Sequence, residues 1–296
     1  MMPLRSSRAA YLFLTPFVLS FLIFGAYPIV RSLILSLYIT SGPEAQQFVG
    51  LDNYRHLLQD PDFWIAFRNT ALFAVGSVAL QLPLSLGLAI LLNRADIRGR
   101  NVFRFIFFSP NLMGLVFSAL LFTLILAPRF GLLNAGLHAL FGLPSTTRWL
   151  STPELVMPAL IMVALWLYTG FNMVYFLAAL QSVDGELYEA ATIDGAGRWA
   201  QFWHVTLPGI RPVLIFVVVL STIGSFQLFE LAYLLLGNSS GPDQAGLTIV
   251  MYLYQNGFLG GDLGYAAAIG WTLAAMVLIL SLLQLRVTGT TLKEGR

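Results

Sequence analysis

Six runs of apolar residues decide what this chain can fold into: Tyr11 to Leu37, Ala71 to Leu92, Val102 to Ala127, Leu155 to Leu180, Val213 to Leu236 and Tyr265 to Leu285. Each is long enough to cross the roughly 30 Å hydrocarbon core of a bilayer at about 1.5 Å of helix rise per residue. A backbone in hydrocarbon must satisfy its own hydrogen bonds, so such runs cross as helices. Composition agrees, since 57% of the residues are hydrophobic and only 10% charged, where a soluble domain is about a quarter charged. The expectation is an all-α integral membrane protein with six transmembrane helices, residues 1–296 forming a single transmembrane domain. The first run follows a basic tail, Met1 to Arg8, as a signal core would, but it is far longer than a signal core and reads as a retained helix.

Basic residues concentrate in cytoplasmic loops, and this sets the orientation. With the amino terminus inside, Arg5, Arg8, Arg94, Arg98, Arg100, Arg104, Arg198, Arg211, Arg286, Lys293 and Arg296 fall on the cytoplasmic side. Only Arg55, Arg68, Arg129 and Arg148 fall outside, so both termini are expected in the cytoplasm. A net charge of +2, scattered over loops, forms no basic face for nucleic acid. The absence of cysteine removes disulfides and thiolate chemistry. His56, His138 and His204 lie in separate loops without metal-ligand spacing, and no catalytic set lies within the apolar runs.

Outside the spans, Gly50-Leu51-Asp52-Asn53-Tyr54 reads as a turn into a short helix ending near Asp60-Pro61, because proline disfavours helix in the residue before it. Gly237 to Pro242 is a compact cluster of turn residues, and Gly260-Gly261-Asp262 closes the same loop. The segment 181–208 is different: it is acidic yet falls on the side where arginines dominate. Asp184 suits a helix N-cap, Glu186 and Glu189 sit where the helix dipole favours negative charge, and Gly195 is a C-terminal stop. Leu187, Ala190, Ala191 and Asp194 then share one small, smooth side of a helix of about three turns. Trp199, Phe202 and Trp203 follow on a second short segment, before Leu207-Pro208 leads back toward the membrane.

Glu189-Ala190-Ala191, Gly195 six residues after the glutamate, Val205 and Leu207-Pro208 resemble the EAA loop of ABC importer membrane subunits, whose pattern is EAA, three residues, Gly, nine residues, Ile, one residue, Leu-Pro. Val205 in place of isoleucine is the one departure and keeps the branched apolar character. Leu51-Asp52-Asn53-Tyr54, Asp62-Phe63-Trp64 with Asn69-Thr70, Tyr188 through Gly197, and Gly264 to Ala268 are similar to sugar-importer permeases of the maltose and glycerol-phosphate type. The first of the paired permeases in such systems is the nearest in pattern. The resemblance implies the type I ABC importer permease fold in a bacterial or archaeal inner membrane. It also implies a second homologous permease, two copies of a cytoplasmic ATPase and an extracytoplasmic solute-binding protein as partners. No cofactor would be bound by this chain, with ATP and magnesium used by the ATPases; the sequence itself has no GxxxxGK[ST] phosphate loop. Glu189, Ala190, Ala191, Asp194, Gly195, Val205, Leu207 and Pro208 would couple the ATPases to the membrane helices.

Polar groups inside a span are costly in hydrocarbon and face a cavity or a partner helix. Ser221, Ser225, Gln227 and Glu230 fall within the fifth run, and Tyr168, Phe171 and Asn172 within the fourth. Amides and hydroxyls with aromatic faces suit a sugar, whose hydroxyls need hydrogen bonds and whose C–H faces pack on rings. By the resemblance, Leu167, Tyr168, Phe171, Ser221, Gly224, Ser225 and Gln227 stand near the positions that line the permease cavity. Glu230 would face that pathway or pair with Arg31 or a partner's cation. Apart from Arg104 near the start of the third run, Arg31 is the one cation in the runs, which favours an uncharged sugar or polyol over glycerol phosphate. An importer for amino acids would keep the EAA loop and change these flanks. A secondary transporter would show inverted repeats with broken helices.

Overall fold

The computed structural model describes residues 6–40 and 46–288. Arg5, Lys293 and Arg296, used above to orient the chain, lie outside them. The chain divides into two compact units, one ending at Phe63 and taking in Tyr252–Ala275, the other comprising Trp64–Met251 and the stretch from Met276. Among the described residues, five helices are long and apolar enough to cross a membrane, and six if one bent pair counts as a single span.

In the first unit, α1 (Ser6–Phe21) runs through a π-helical turn, Leu22–Ala26, into α2 (Tyr27–Leu35). From Tyr11 to Leu35 none of its residues is buried, as a lipid-facing helix requires. A small antiparallel ribbon follows, β1 (Tyr38–Thr40) with β2 (Gln46–Phe48), Tyr38 opposite Phe48 and Thr40 opposite Gln46. This ribbon adds a feature that the helical reading lacked. Helix α3 (Asp52–Gln59) is where the sequence placed it, and Asp60 is extended (φ −79°, ψ 116°) because Pro61 follows. Asn53, buried, ties α3 to the preceding chain by donating to the carbonyls of Ser36 (2.9 Å) and Tyr38 (2.8 Å). Asp60 ties it to residues far along the chain: its carboxylate accepts from the Asp62 amide (2.9 Å) and from the hydroxyls of Tyr265 (3.0 Å) and Tyr252.

The second unit is a bundle around three long helices. They are α4 (Pro61–Asn93, its first residues belonging to the first unit), α8 (Pro153–Ser182) and α11 (Leu207–Phe226). Between α4 and α8 stand α5 (Arg100–Phe108), α6 (Leu115–Ile125) and α7 (Leu132–Phe141). The third apolar run is thus not one straight helix: Arg100–Leu112 and Leu115–Ile125 meet at 101°. Pro110 supplies no N–H inside the run, and Gly114 takes a conformation open to glycine (φ +75°, ψ 154°). Helix α5 packs on α8 where Gly170 leaves no side chain, and a Cβ there would overlap the Phe107 carbonyl. One core of Ala89, Leu92, Met173, Phe176, Leu177, Ala179, Leu180, Ile210 and Val217 locks α4, α8 and α11 together.

The fifth run also departs from expectation at both ends. Helix begins at Arg198, as α10 (Arg198–Gln201) and a π-helical turn Phe202–Thr206 that joins α11, so Leu207-Pro208 lies within a continuous helix and not at its threshold. It ends at Phe226, and α12 (Glu230–Leu235) starts afresh after Phe229, whose backbone (φ −145°, ψ −70°) leaves the helical region. Gln227 and Glu230 therefore do not share one helical face. The chain then turns through Gly237 to Gly241, and α13 (Ile249–Tyr254), unforeseen in the sequence, precedes α14 (Leu263–Val287).

Candidate functional site

Each of the three long helices turns residues at three- and four-residue steps toward a common cavity. Helix α4 brings Phe73, Ser77 and Gln81; α8 brings Ala164, Tyr168, Phe171 and Asn172; α11 brings Leu220, Ser221, Gly224 and Ser225. The chain between α11 and α12, Gln227 to Leu231, closes one side with Leu115 and Val250, and the space enclosed is about 600 Å³. Its wall holds one carboxylate, Glu230, and no cation. Of the residues read from the sequence as pathway positions, Tyr168, Phe171, Asn172, Ser221, Gly224, Ser225, Gln227 and Glu230 line the cavity. Leu167 does not; it is 2% exposed, in the apolar core. Sequence reading overlooked the row on α4, although Ser77 and Gln81 are polar residues in a span, four apart, and carry the same signal as Ser221 and Ser225.

Several of these groups hold the helices to one another. Ser77 and Ser225 hydroxyls meet at 3.1 Å, the Ser225 hydroxyl also lies 2.8 Å from the Ser221 carbonyl, and the Asn172 amide donates to the Ser221 hydroxyl at 3.1 Å. Ser85, one step beyond Gln81 on α4, donates to the Thr169 carbonyl at 2.9 Å. Such bonds replace the water that hydrocarbon excludes.

The second candidate region is α9 (Gly185–Ile193) and its link to α10. Asp184 caps it, its carboxylate accepting from the Glu186 amide at 3.0 Å. Gly195 ends it in the left-handed region (φ +78°), with the Ala196 amide on the Ala191 carbonyl (2.9 Å) and the Gly195 amide on that of Thr192 (3.0 Å). This is the paired C-terminal closure that needs a residue free to take positive φ. The Tyr188 and Thr206 hydroxyls, 3.0 Å apart, and the Gln201 amide, donating to Thr192 (2.9 Å) and the Ala196 carbonyl (3.1 Å), pin α9 to the base of α11. A recess of about 550 Å³ lies beside it, with Arg94, Asp96, Tyr188 and Arg198 in its lining. Glu189, Ala190, Asp194, Gly195 and Pro208 are exposed; Ala191, Val205 and Leu207 are half-buried. Large apolar side chains stand out from this segment and the turn that follows it: Ile193 is 86% exposed, Trp199 77%, Trp203 56% and Leu187 52%.

A helical bundle with several membrane-length helices, a polar cavity among them and a capped loop helix is the architecture of a membrane transport component. Residues 81–288 match the family described as binding-protein-dependent transport system inner membrane component. The chain belongs to that family: it is a multi-pass inner-membrane permease subunit of an ABC importer and is not an enzyme. It is 40% identical over 291 residues to the arabinooligosaccharides transport system permease protein AraP of Bacillus subtilis (strain 168), covering 98% of this chain and 92% of that one. It is 36% identical to the lactose transport system permease protein LacF of Rhizobium radiobacter, covering 93% and 92%. A solved bacterial ABC transporter involved in the import of the acidic polysaccharide alginate has a chain that superposes with a TM-score of 0.84, at 27% identity and 96% coverage of both chains. Among the described residues no three His, Cys, Asp or Glu side chains gather as a metal site.

Proposed function

We propose that this chain forms half of the translocation pathway of an ATP-driven importer for an uncharged sugar or polyol, the other half coming from a second homologous permease. The observation that carries the reading is the wall of the 600 Å³ cavity, where aromatic faces alternate with amides and hydroxyls and no cation is present. Rings that pack on C–H faces and neutral groups that hydrogen-bond hydroxyls are what a carbohydrate needs. A phosphorylated or acidic solute would call for Arg or Lys. The sugar names borne by AraP and LacF point the same way.

In this reading α9 is cytoplasmic, as are both termini, and it docks in a groove of an ATPase subunit. Glu189 anchors a basic group there, Ala190 and Ala191 allow close approach, and Gly195 fixes the turn that presents the helix. Two ATPase copies use ATP and magnesium, and an extracytoplasmic binding protein delivers the solute. Rigid closure of α9 at both ends lets it act as a lever on α11. The test is ATPase activity of the reconstituted complex with its binding protein across neutral sugars, polyols, glycerol phosphate and amino acids. Stimulation by a neutral sugar, lost when Glu189→Ala is combined with Gly195→Asp, is the expected result. Stimulation by glycerol phosphate or an amino acid alone would overturn the choice of solute, and transport by the purified chain without any ATPase would overturn the whole reading.

A further inference from the structure

Helix α4 carries a row at four-residue steps, Phe73, Ser77, Gln81 and Ser85, and its polar members differ in one respect. Ser77 is bonded to Ser225 on α11 and Ser85 to the Thr169 carbonyl on α8. Gln81, between them, is 5% exposed, lines the cavity, and has no hydrogen bond among the described residues. A primary amide offers two donors and a carbonyl acceptor. The amide is open to the cavity and free to bond what fills it, where an apolar side chain of the same shape would offer nothing. Its neighbours show that α4 can satisfy its polar side chains through α8 and α11 where packing is the need.

We infer that Gln81 is a specificity-determining contact of the permease, its amide taking a hydroxyl or an adjacent hydroxyl pair of an uncharged sugar as the sugar crosses the cavity. This rests on the sugar-importer reading above and extends the contact surface to α4, beyond the two long helices that flank the α9 segment. The chemistry of the wall fits: with Glu230 as its one charge, the cavity favours neutral polyhydroxyl ligands and disfavours uronates. An amide that bonds a hydroxyl favours a sugar carrying it over an analogue that lacks it, by the worth of that bond.

The test uses the full complex with both permeases, the ATPases and the binding protein in proteoliposomes. The first step finds which of arabinobiose, lactose, maltose or trehalose is taken up. That sugar and each of its monodeoxy analogues are then supplied together, and the ratio of uptake rates is corrected for the affinity of each for the binding protein. The wild type is expected to prefer the parent by about fivefold over one analogue, the size of one neutral hydrogen bond. In Gln81→Met that preference falls to about one, while the thermal midpoint holds or rises and the second permease still co-purifies. A lower midpoint or loss of the second permease would make Gln81 a structural or interface group and overturn the inference. So would an unchanged ratio for every analogue. Phe171→Ala separates the two readings: if it slows uptake and Gln81→Met leaves every ratio intact, the sugar pathway stands and the role of Gln81 falls. If no sugar enters the wild-type vesicles, both fall together.

Discussion

The cavity wall and the α9 segment belong to the same unit and dispose of their polar and apolar groups in opposite ways. In the wall, hydroxyls and amides of α4, α8 and α11 are turned inward and largely bonded to each other across helices. In the α9 segment the polar bonds are short-range, and Leu187, Ile193 and Trp199 are left outside. Much of the wall is bonded within the chain, while Tyr168, Gln81, Gln227 and Glu230 present polar groups to the cavity. The segment is a structure whose shape is finished and whose surface is not. On the proposed reading, internal hydrogen bonds fix where the ATPase docks and exposed apolar area supplies free energy for that docking.

The largest effect expected separates a glycine that packing requires from one that merely lines space. Gly170→Ala drives a methyl into the Phe107 carbonyl of α5, a collision with backbone that no rotamer relieves. It should cost about 3 kcal/mol or more, seen as lost yield and a thermal midpoint lowered by several degrees in detergent. Gly224→Ala meets nothing within 4 Å and should leave the midpoint alone. Since Gly224 lines the cavity, its methyl should instead slow uptake. Equal stability losses at both positions would break the distinction between wall and core.

A second test sets activity against stability in the α9 segment. Gly195→Ala places a side chain at φ +78° in open space, so the strain is conformational, roughly 1 kcal/mol. Because α9 is held by Tyr188, Gln201 and Thr206, the fold should survive with a small loss. Sugar-stimulated ATPase activity should nevertheless fall at least about tenfold, a larger factor than the loss of stability accounts for. Proportional losses of activity and folded protein would make the segment ordinary structure.

What could be read from the sequence follows the same division. The α9 cap and stop were legible because Asp184 and Gly195 act on backbone within a few residues, and local chemistry needs no knowledge of the rest of the fold. Tyr168, Asn172, Ser221, Ser225, Gln227 and Glu230 were legible because a polar side chain in an apolar run must face something, whereas Phe171 was read as an aromatic beside them and Gly224 from the family resemblance alone. The bend at Ser109–Gly114 had its signals in Pro110 and Gly114, which hydropathy alone smooths over. The break at Gln227–Phe229 had no proline or glycine to mark it, only the polar Gln227 and Glu230 among apolar residues, and α12 turns away to pack on α6, a contact set by tertiary structure. Helix α13 was hidden between turn clusters, and Leu167 was drawn to the cavity by its neighbour Tyr168 although helical geometry turns it into the core.

The Asp60 knot in the first unit sharpens the comparison, because it is closed within the chain like much of the wall but stands just outside a span, where protons reach it. Burial pushes its carboxyl up, and hydrogen bonds from Tyr252, the Asp62 amide and Tyr265 outweigh that and hold it below its ordinary value. A carboxyl so depressed stabilises the fold above its unfolded pKa, near 4, and the contribution is lost as pH falls through the lower folded value. Thermal midpoints of wild type should therefore be level with respect to this group from pH 8 to 5 and decline below about 4. Asp60→Asn should cost about 2 kcal/mol at pH 7, as loss of hydrogen bonds to a charged acceptor does. The gap between variant and wild type should narrow as the pH drops. A gap constant down to pH 3 would mean that the charge of Asp60 does not hold the tyrosines.

The smallest effect expected lies at the start of α9. Asp184→Ala removes the acceptor of the Glu186 amide and one favourable charge at the helix N-terminus, about 1 kcal/mol. Alanine leaves the extended backbone of residue 184 (φ −61°, ψ 128°) undisturbed, so the change is confined to the cap. The helix has nine residues and is too short to persist without its caps and tertiary bonds, so its first turn should fray while the wall is untouched. Amide exchange should accelerate about fivefold at Glu186 and Leu187 and stay unchanged in α8 and α11. If exchange in α11 rises equally, α9 and the wall open as one unit, and the loop is then a continuation of the bundle that could not move against it as a lever.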